Sequence, residues 1–256
     1  EMGAFLWLAV ESRRISLVVT GPPAAGKTSF LSALLAFIPK GERIISIEEE
    51  MNELRFYDGF IDWVPLRGFY DERKEEALRK ARGIGGARTV MDQVANALRM
   101  RPDRIILGEL RGAEAGRLFS GANLGVPFMT TMHSSEKGSA VVKRLHSPPM
   151  SVSCDSLSQL DLVVSMGMDA GRKRRVAEVS ELFWRSRGGI PEGEGVEWEG
   201  DGDGALVGKA YVFEEAKKAH SRVEGKSCVL AGFAERMGIS GERVREELGR
   251  RSEVLE

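Results

Sequence analysis

One eight-residue stretch limits what this chain can fold into. Residues 21–28 read Gly-Pro-Pro-Ala-Ala-Gly-Lys-Thr, a match to G-x-x-x-x-G-K-[ST] placed between an apolar β-branched run at 15–19 and a helical pattern at 28–37. The expected order is strand, loop, helix. Gly21 and Gly26 permit tight turns, so successive N–H groups converge on phosphate oxygens while the helix opening near Lys27 adds its own unpaired N–H groups. Pro22 and Pro23 have no N–H to give. The phosphate cradle is therefore assigned to Gly21, Ala24, Ala25, Gly26, Lys27, Thr28 and Ser29. Lys27 is expected to reach the β and γ phosphates of a nucleoside triphosphate, and the Thr28 hydroxyl to hold Mg²⁺.

Three further apolar runs end in polar residues. The run at 44–47 is followed by Glu48, Glu49 and Glu50; the run at 105–107 by Gly108 and Glu109; the run at 126–132 by His133. In an open parallel sheet all such strand ends face the crevice where ligands sit. Glu48 or Glu49 is then placed to polarise a water beside the γ-phosphate, and Glu109 resembles a Walker B carboxylate holding the metal through water. His133 is placed to sense the γ-phosphate or its attacking water, and Arg111 to couple Glu109 to the next segment of the chain. No guanine-recognition motif is present, which favours ATP.

The remaining chain divides in two. Residues 52–90 suggest a short strand at 63–66, a charged helix at 71–81 and a glycine break at 83–86, with Arg55, Arg67, Arg73, Arg79, Arg82 and Arg88 read mainly as solvated salt-bridge partners and one or two of them as able to reach phosphates, including those of a neighbouring subunit. Residues 160–166 and 174–182 suggest a β-hairpin whose basic tip, Arg172 to Arg175, is expected to face solvent or an acidic protein patch. Past residue 185 the composition turns glycine-rich, with a strand-like piece at 196–199. Two helices are expected at the end, the second capped by Ser240. Domain boundaries are set at 1–185 and 186–256.

Charge excludes a general nucleic-acid binder. Lys plus Arg number 37 against 38 Asp plus Glu, a net charge of −1, which gives no global attraction to phosphate backbones. Cys154 and Cys228 lie far apart without metal-ligand neighbours and fit a reducing compartment. The longest apolar stretches fall short of the roughly 18 residues a membrane span needs. A cytosolic chain is expected, and an opening helix at 2–12 without a cap suggests a fragment of something longer.

In the order and spacing of four motifs the chain resembles the C-terminal ATPase domain of the type II and type IV secretion ATPase superfamily, in particular its archaeal flagellar and pilus branch. The motifs are the Walker A box at 21–28, the Asp box at 43–49, the Walker B box at 105–111 preceded by 98–103, and the His box at 130–133 leading to 142–145. The Asp box ends in Glu48-Glu49 where the family usually has Glu-Asp, and Pro23-Ala24-Ala25 stand where Thr-Ala-Ser is frequent. The resemblance implies an α/β, RecA-like P-loop NTPase core: three αβα layers, a mostly parallel sheet, an additional catalytic-Glu strand, a β-hairpin and a small C-terminal α+β subdomain. It implies a Mg²⁺-dependent ATPase that works as a hexameric ring, pairs with an N-terminal domain, and drives a polytopic membrane platform protein from the inner face of the cell membrane. Without that domain, weak or no hydrolysis is expected. Lys27, Thr28, Glu48 or Glu49, Glu109 and His133 take the family's site positions, and Arg99, Arg101 and Arg111 match arginines that reach phosphates or a neighbouring subunit. The alternative is a RecA-like nucleic-acid motor such as a helicase or DNA-packaging ATPase.

Overall fold

A nine-stranded sheet runs through the molecule in the order β3-β2-β4-β5-β1-β6-β7-β8-β9. The computed structural model describes residues 1–12, 14–49, 53–55, 59, 62–70, 89–134, 138–169, 171–184, 205–214, 219–222 and 227–255. The helix expected at 71–81, the glycine break at 83–86, Arg73, Arg79, Arg82 and Arg88, and the strand-like piece at 196–199 lie outside them. The strands are β1 (Leu17–Gly21), β2 (Arg43–Glu48), β3 (Asp62–Arg67), β4 (Arg104–Leu107), β5 (Phe128–His133), β6 (Leu162–Met168), β7 (Arg174–Trp184), β8 (Ala205–Glu214) and β9 (Ala219–Arg222). The first six are parallel, and β7, β8 and β9 extend the same sheet in antiparallel fashion.

Helices cover both faces, as a parallel sheet requires. The alternation of side chains along each strand decides which core each residue enters. Leu17, Val19, Ile44, Ile106 and Met129 face α1 (Met2–Glu11), α2 (Lys27–Leu35), α7 (Cys228–Met237) and α8 (Gly241–Leu255). Val18, Ile45, Ile47, Ile105, Leu107 and Phe128 face α3 (Val90–Arg99), α4 (Glu114–Asn123), α5 (Ser139–His146) and α6 (Cys154–Leu157). This is the three-layer RecA-like core, with β5 inserted between the phosphate-loop strand β1 and β4. Among the described residues no helix is long and apolar enough to cross a membrane.

Local sequence explains the element ends. α1 is apolar almost all round because it is sandwiched, with Ala4, Phe5, Leu6, Leu8, Ala9 and Val10 all buried. Thr89 and Asp92 close a reciprocal capping box on α3, and the Ser240 hydroxyl accepts from Arg243 N–H at the start of α8. The expected hairpin exists, and its first strand pairs with β1 and so belongs to the core sheet.

At the edge where β4 begins, Arg104 and Glu42 form a buried pair, 0% and 1% exposed. Arg104 Nε and Nη2 donate to the two Glu42 oxygens at 2.9 and 3.2 Å, and Nη2 also donates to Val10 O at 2.9 Å. The pair ties the end of α1 to the sheet. Removing one partner strands the other charge, so Arg104→Ala should cost about 3–5 kcal/mol. Urea denaturation measures this, and a loss below about 1 kcal/mol would show that the pair does not hold the edge.

Candidate functional site

Three strands of the parallel core bring polar residues to the C-terminal edge of the sheet: Glu48 ends β2, Glu109 follows β4 and His133 ends β5. β1 ends at Gly21, whose partner in β5 is His133. Gly21 has φ of 156°, and a Cβ there would lie 2.9 Å from the Met166 carbonyl oxygen, so only glycine fits between β1 and β6. The loop then carries Ala24 at φ 62° and Gly26 at φ 88°. Gly26 is the residue before the first helical position of α2, and its left-handed turn aims the helix N-terminus back at the strand edge. A left-handed alanine is uncommon, and strain of this kind concentrates where a ligand is gripped.

A cleft of about 300 Å³ opens at this edge, lined by Ala24, Gly26, Lys27, Thr28, Ser29, Glu53, Gly108, Glu109, Thr131, His133 and Arg174. That volume is at the lower end for small-molecule sites. Lys27 is only 6% exposed, and its Nζ lies 3.1 Å from both Pro22 O and His133 Nδ1. Burial holds the Lys27 ammonium below the ordinary lysine value, while the charge of Glu109 opposes that shift. His133 Nε2 lies 3.3 Å from Glu109 Oε1. Arg111 Nη2 is 2.5 Å from Glu109 Oε2, and its Nη1 is 3.5 Å from Glu49 Oε2. One polar chain therefore runs from Lys27 through His133, Glu109 and Arg111 to Glu49.

The loop after β4 is braced to present it. Thr131 Oγ1 donates to Gly108 O at 2.7 Å, and Leu110 N–H to Thr131 O at 2.8 Å. The buried Glu114 side chain accepts from Arg111 N–H at 2.7 Å and Gly112 N–H at 2.8 Å, where the first turn of α4 opens. Tyr70 donates its hydroxyl to Glu109 O, and the Arg111 guanidinium lies 4.8 Å above the Tyr70 ring. Burial, with Glu114 second, pushes the Tyr70 phenol far above its ordinary value. It remains a donor. The side-chain hydrogen bond between Arg111 and Glu109 raises the guanidinium, which stays charged.

The sequence-assigned residues do not all reach the cleft. Gly21 and Ala25 lie beneath it, and the Ala25 N–H is turned onto Pro22 O at 3.3 Å. Glu48, 3% exposed, accepts from Leu54 N–H at 2.8 Å and sits just behind Gly108, where an added Cβ would lie 3.6 Å from its Cγ. Burial pushes its carboxyl above the ordinary value, partly offset by backbone N–H bonds from Leu54 and Glu53. Arg99 and Arg101 stand before β4, at the opposite edge, and line no part of this cleft. Conversely Glu53, Thr131 and Arg174 line it although none was assigned a role there, Thr131 standing within the His box without one. Thr131 was the most accessible of these, since it shares a strand face with His133 two positions on.

The donor set suits a triphosphate with Mg²⁺. Among the described residues no cluster of three or more His, Cys, Asp or Glu side chains forms a protein-only metal cage. Mg²⁺ instead takes one or two protein oxygens together with phosphates and water, and the Thr28 hydroxyl and Glu109 carboxylate border the cleft beside a helix N-terminus built for phosphate.

The profile described as type II/IV secretion system protein matches residues 3–189. The chain belongs to this family. It is 30% identical to an uncharacterized protein of Methanocaldococcus jannaschii, across 100% of this chain and 85% of that one. It is also 30% identical to a putative conjugal transfer protein of Mycobacterium tuberculosis, across 68% of this chain and 48% of that one. Among solved structures, the VirB11 ATPase of the Brucella suis type IV secretion system, crystallised with sulphate, is similar with a TM-score of 0.54 and 26% identity, over 70% of this chain and 51% of that one. This secretion-family chain thus spans about half the length of the mycobacterial and Brucella proteins.

Because Glu48 has a raised value in the fold, its ionisation opposes folding. Stability is unaffected below the ordinary carboxylate value and declines as pH rises from there through the folded value. Glu48→Gln keeps an acceptor for Leu54 N–H and removes the charge. The variant should match or exceed the native chain in stability at neutral pH, with the difference closing as pH falls toward the ordinary carboxylate range. Thermal unfolding across that range measures it, and a variant that is less stable at neutral pH would contradict the assignment.

Proposed function

We propose that this chain is the ATP-hydrolysing motor unit of a type II/IV secretion, pilus or archaeal flagellum-like assembly machine. It would act in a hexameric ring, peripheral to the inner face of the cell membrane, on a polytopic platform protein. The observation that carries the reading is the convergence of Lys27, His133 and Glu109, from a loop and two parallel strands, on one cleft at the N-terminus of α2. Membership in the type II/IV secretion family supports this class of machine.

In this reading the backbone N–H groups of the loop and Lys27 bind the β and γ phosphates of ATP. Thr28, with Glu109 through water, would hold Mg²⁺, which neutralises charge building on the phosphate oxygens when bound. Glu48 or Glu49, the carboxylate pair at the end of β2, would take the proton of the attacking water, a role that requires one of them to come within hydrogen-bond reach of that water. Glu49 balances Arg111 and so keeps that guanidinium from drawing Glu109 wholly away. His133 bridges Lys27 and Glu109, so a change at the terminal phosphate is felt by both. Phosphoryl transfer needs little more than such positioning and charge placement. Residues 1–185 form the ATPase unit in this view, and residues 186–256 an appendage to its sheet.

Nucleotide binding and turnover of the variants test the assignment. Lys27→Ala should abolish binding of a fluorescent ATP analogue. Glu109→Gln should bind it within a few-fold of the native chain while turnover in the assembled ring drops by about 10²–10³. Undiminished turnover in Glu109→Gln would overturn its role, and strong stimulation by single-stranded DNA would point to the nucleic-acid motor instead.

A further inference from the structure

The turn between β6 and β7 carries the four basic residues that the sequence leaves without a use. The turn is rigid by its own bonds: Lys173 N–H donates to Asp169 Oδ1 at 2.8 Å, Asp169 N–H to Lys173 O at 3.0 Å and Arg172 N–H to Asp169 O at 2.8 Å. Asp169 also draws Arg175, at 3.6 Å. Arg174 points elsewhere. It pairs across the hairpin with Met168, and two residues further along the same face Val176 is buried in the core shared with α1 and α2. That face puts Arg174 over the N-terminus of α2, where a Cβ added to Gly26 would meet its Cδ at 3.2 Å. It is a lining residue of the phosphate cleft.

The position along the sheet narrows what it can touch. β1 lies between β5 and β6. Glu109 and His133 come from the β4 and β5 side of the phosphate loop, and Arg174 comes from the β6 side. A triphosphate laid across the loop with its terminal phosphate between Lys27, His133 and Glu109 therefore directs its other end toward Arg174. Among the described residues no carboxylate is paired with Arg174, whereas Arg111 has two, Glu109 and Glu49, and Arg175 has Asp169. The guanidinium is left for an anionic ligand, and its planar fork suits phosphate oxygens.

We propose that Arg174 is a nucleotide-binding residue that grips the phosphate nearest the ribose. This rests on the ATP reading of the cleft and adds a contact on its far side. Since ATP and ADP share that phosphate, Arg174 serves both alike, and it holds the nucleotide after hydrolysis as firmly as before. The β6 side adds affinity to that of the loop and Lys27, and the chemistry lies on the β5 side.

Titration of the full chain with fluorescent ATP and ADP analogues, in the native form and as Arg174→Ala, Arg174→Lys and Lys27→Ala, tests this. Arg174→Ala should raise Kd for both nucleotides by a similar factor, about tenfold, with Arg174→Lys falling between. If the native chain binds, Lys27→Ala does not, and Arg174→Ala binds as tightly as the native chain, the inference is overturned while the ATP reading stands. A loss for ATP alone also overturns it, by placing Arg174 at the terminal phosphate. Failure of the native chain to bind either nucleotide removes the ATP reading and this inference with it.

Discussion

Lys27, His133 and Glu109 meet only because three parallel strands are held in one register. His133 stands beside Gly21 in the ladder between β5 and β1, and Leu107, two residues before Glu109, stands beside Thr130. A slip of one residue would turn His133 to the opposite face, because side chains alternate along a strand. The two hydrophobic layers oppose that slip, since it would also exchange Val18 with Val19 and Ile105 with Ile106 between the cores. Packing far from the cleft thus fixes a contact of 3.1 Å within it.

Placing charges at such an edge is costly, and the chain handles the cost differently on each side. Lys27 and Glu48 are both shifted toward their neutral forms by burial. The Glu109 carboxylate instead lies against Arg111 and His133, while Tyr70 holds its backbone carbonyl. One carboxylate is given partners at the cleft, and the other is held in the interior on a backbone N–H. The left-handed Ala24 and Gly26 belong to the same logic, because backbone N–H groups concentrate at one point only when the loop abandons ordinary geometry.

Most of this core was legible in the sequence because its signals are local. A β-branched run ending in a carboxylate marks a strand end without knowledge of its neighbours, and the spacing of Gly21, Gly26, Lys27 and Thr28 encodes the loop directly. Nonlocal placement was not legible. Arg99 and Arg101 lie close in sequence to Glu109, yet a whole strand intervenes and leaves them at the opposite edge. Arg174 is far from Lys27 in sequence and reaches the cleft because β6 pairs with β1, which no feature of residues 172–175 announces. The buried partnership of Arg104 with Glu42 was invisible for the same reason.

The pairing of β1 has a bearing on how the chain comes to be made. Both neighbours of this strand, β5 and β6, are specified more than a hundred positions later, so a nascent polypeptide carries this apolar ribbon without either of its ladder partners. Loop closure over such separations slows folding and exposes intermediates to aggregation. The phosphate loop is thus translated well before the strands that give it its shape.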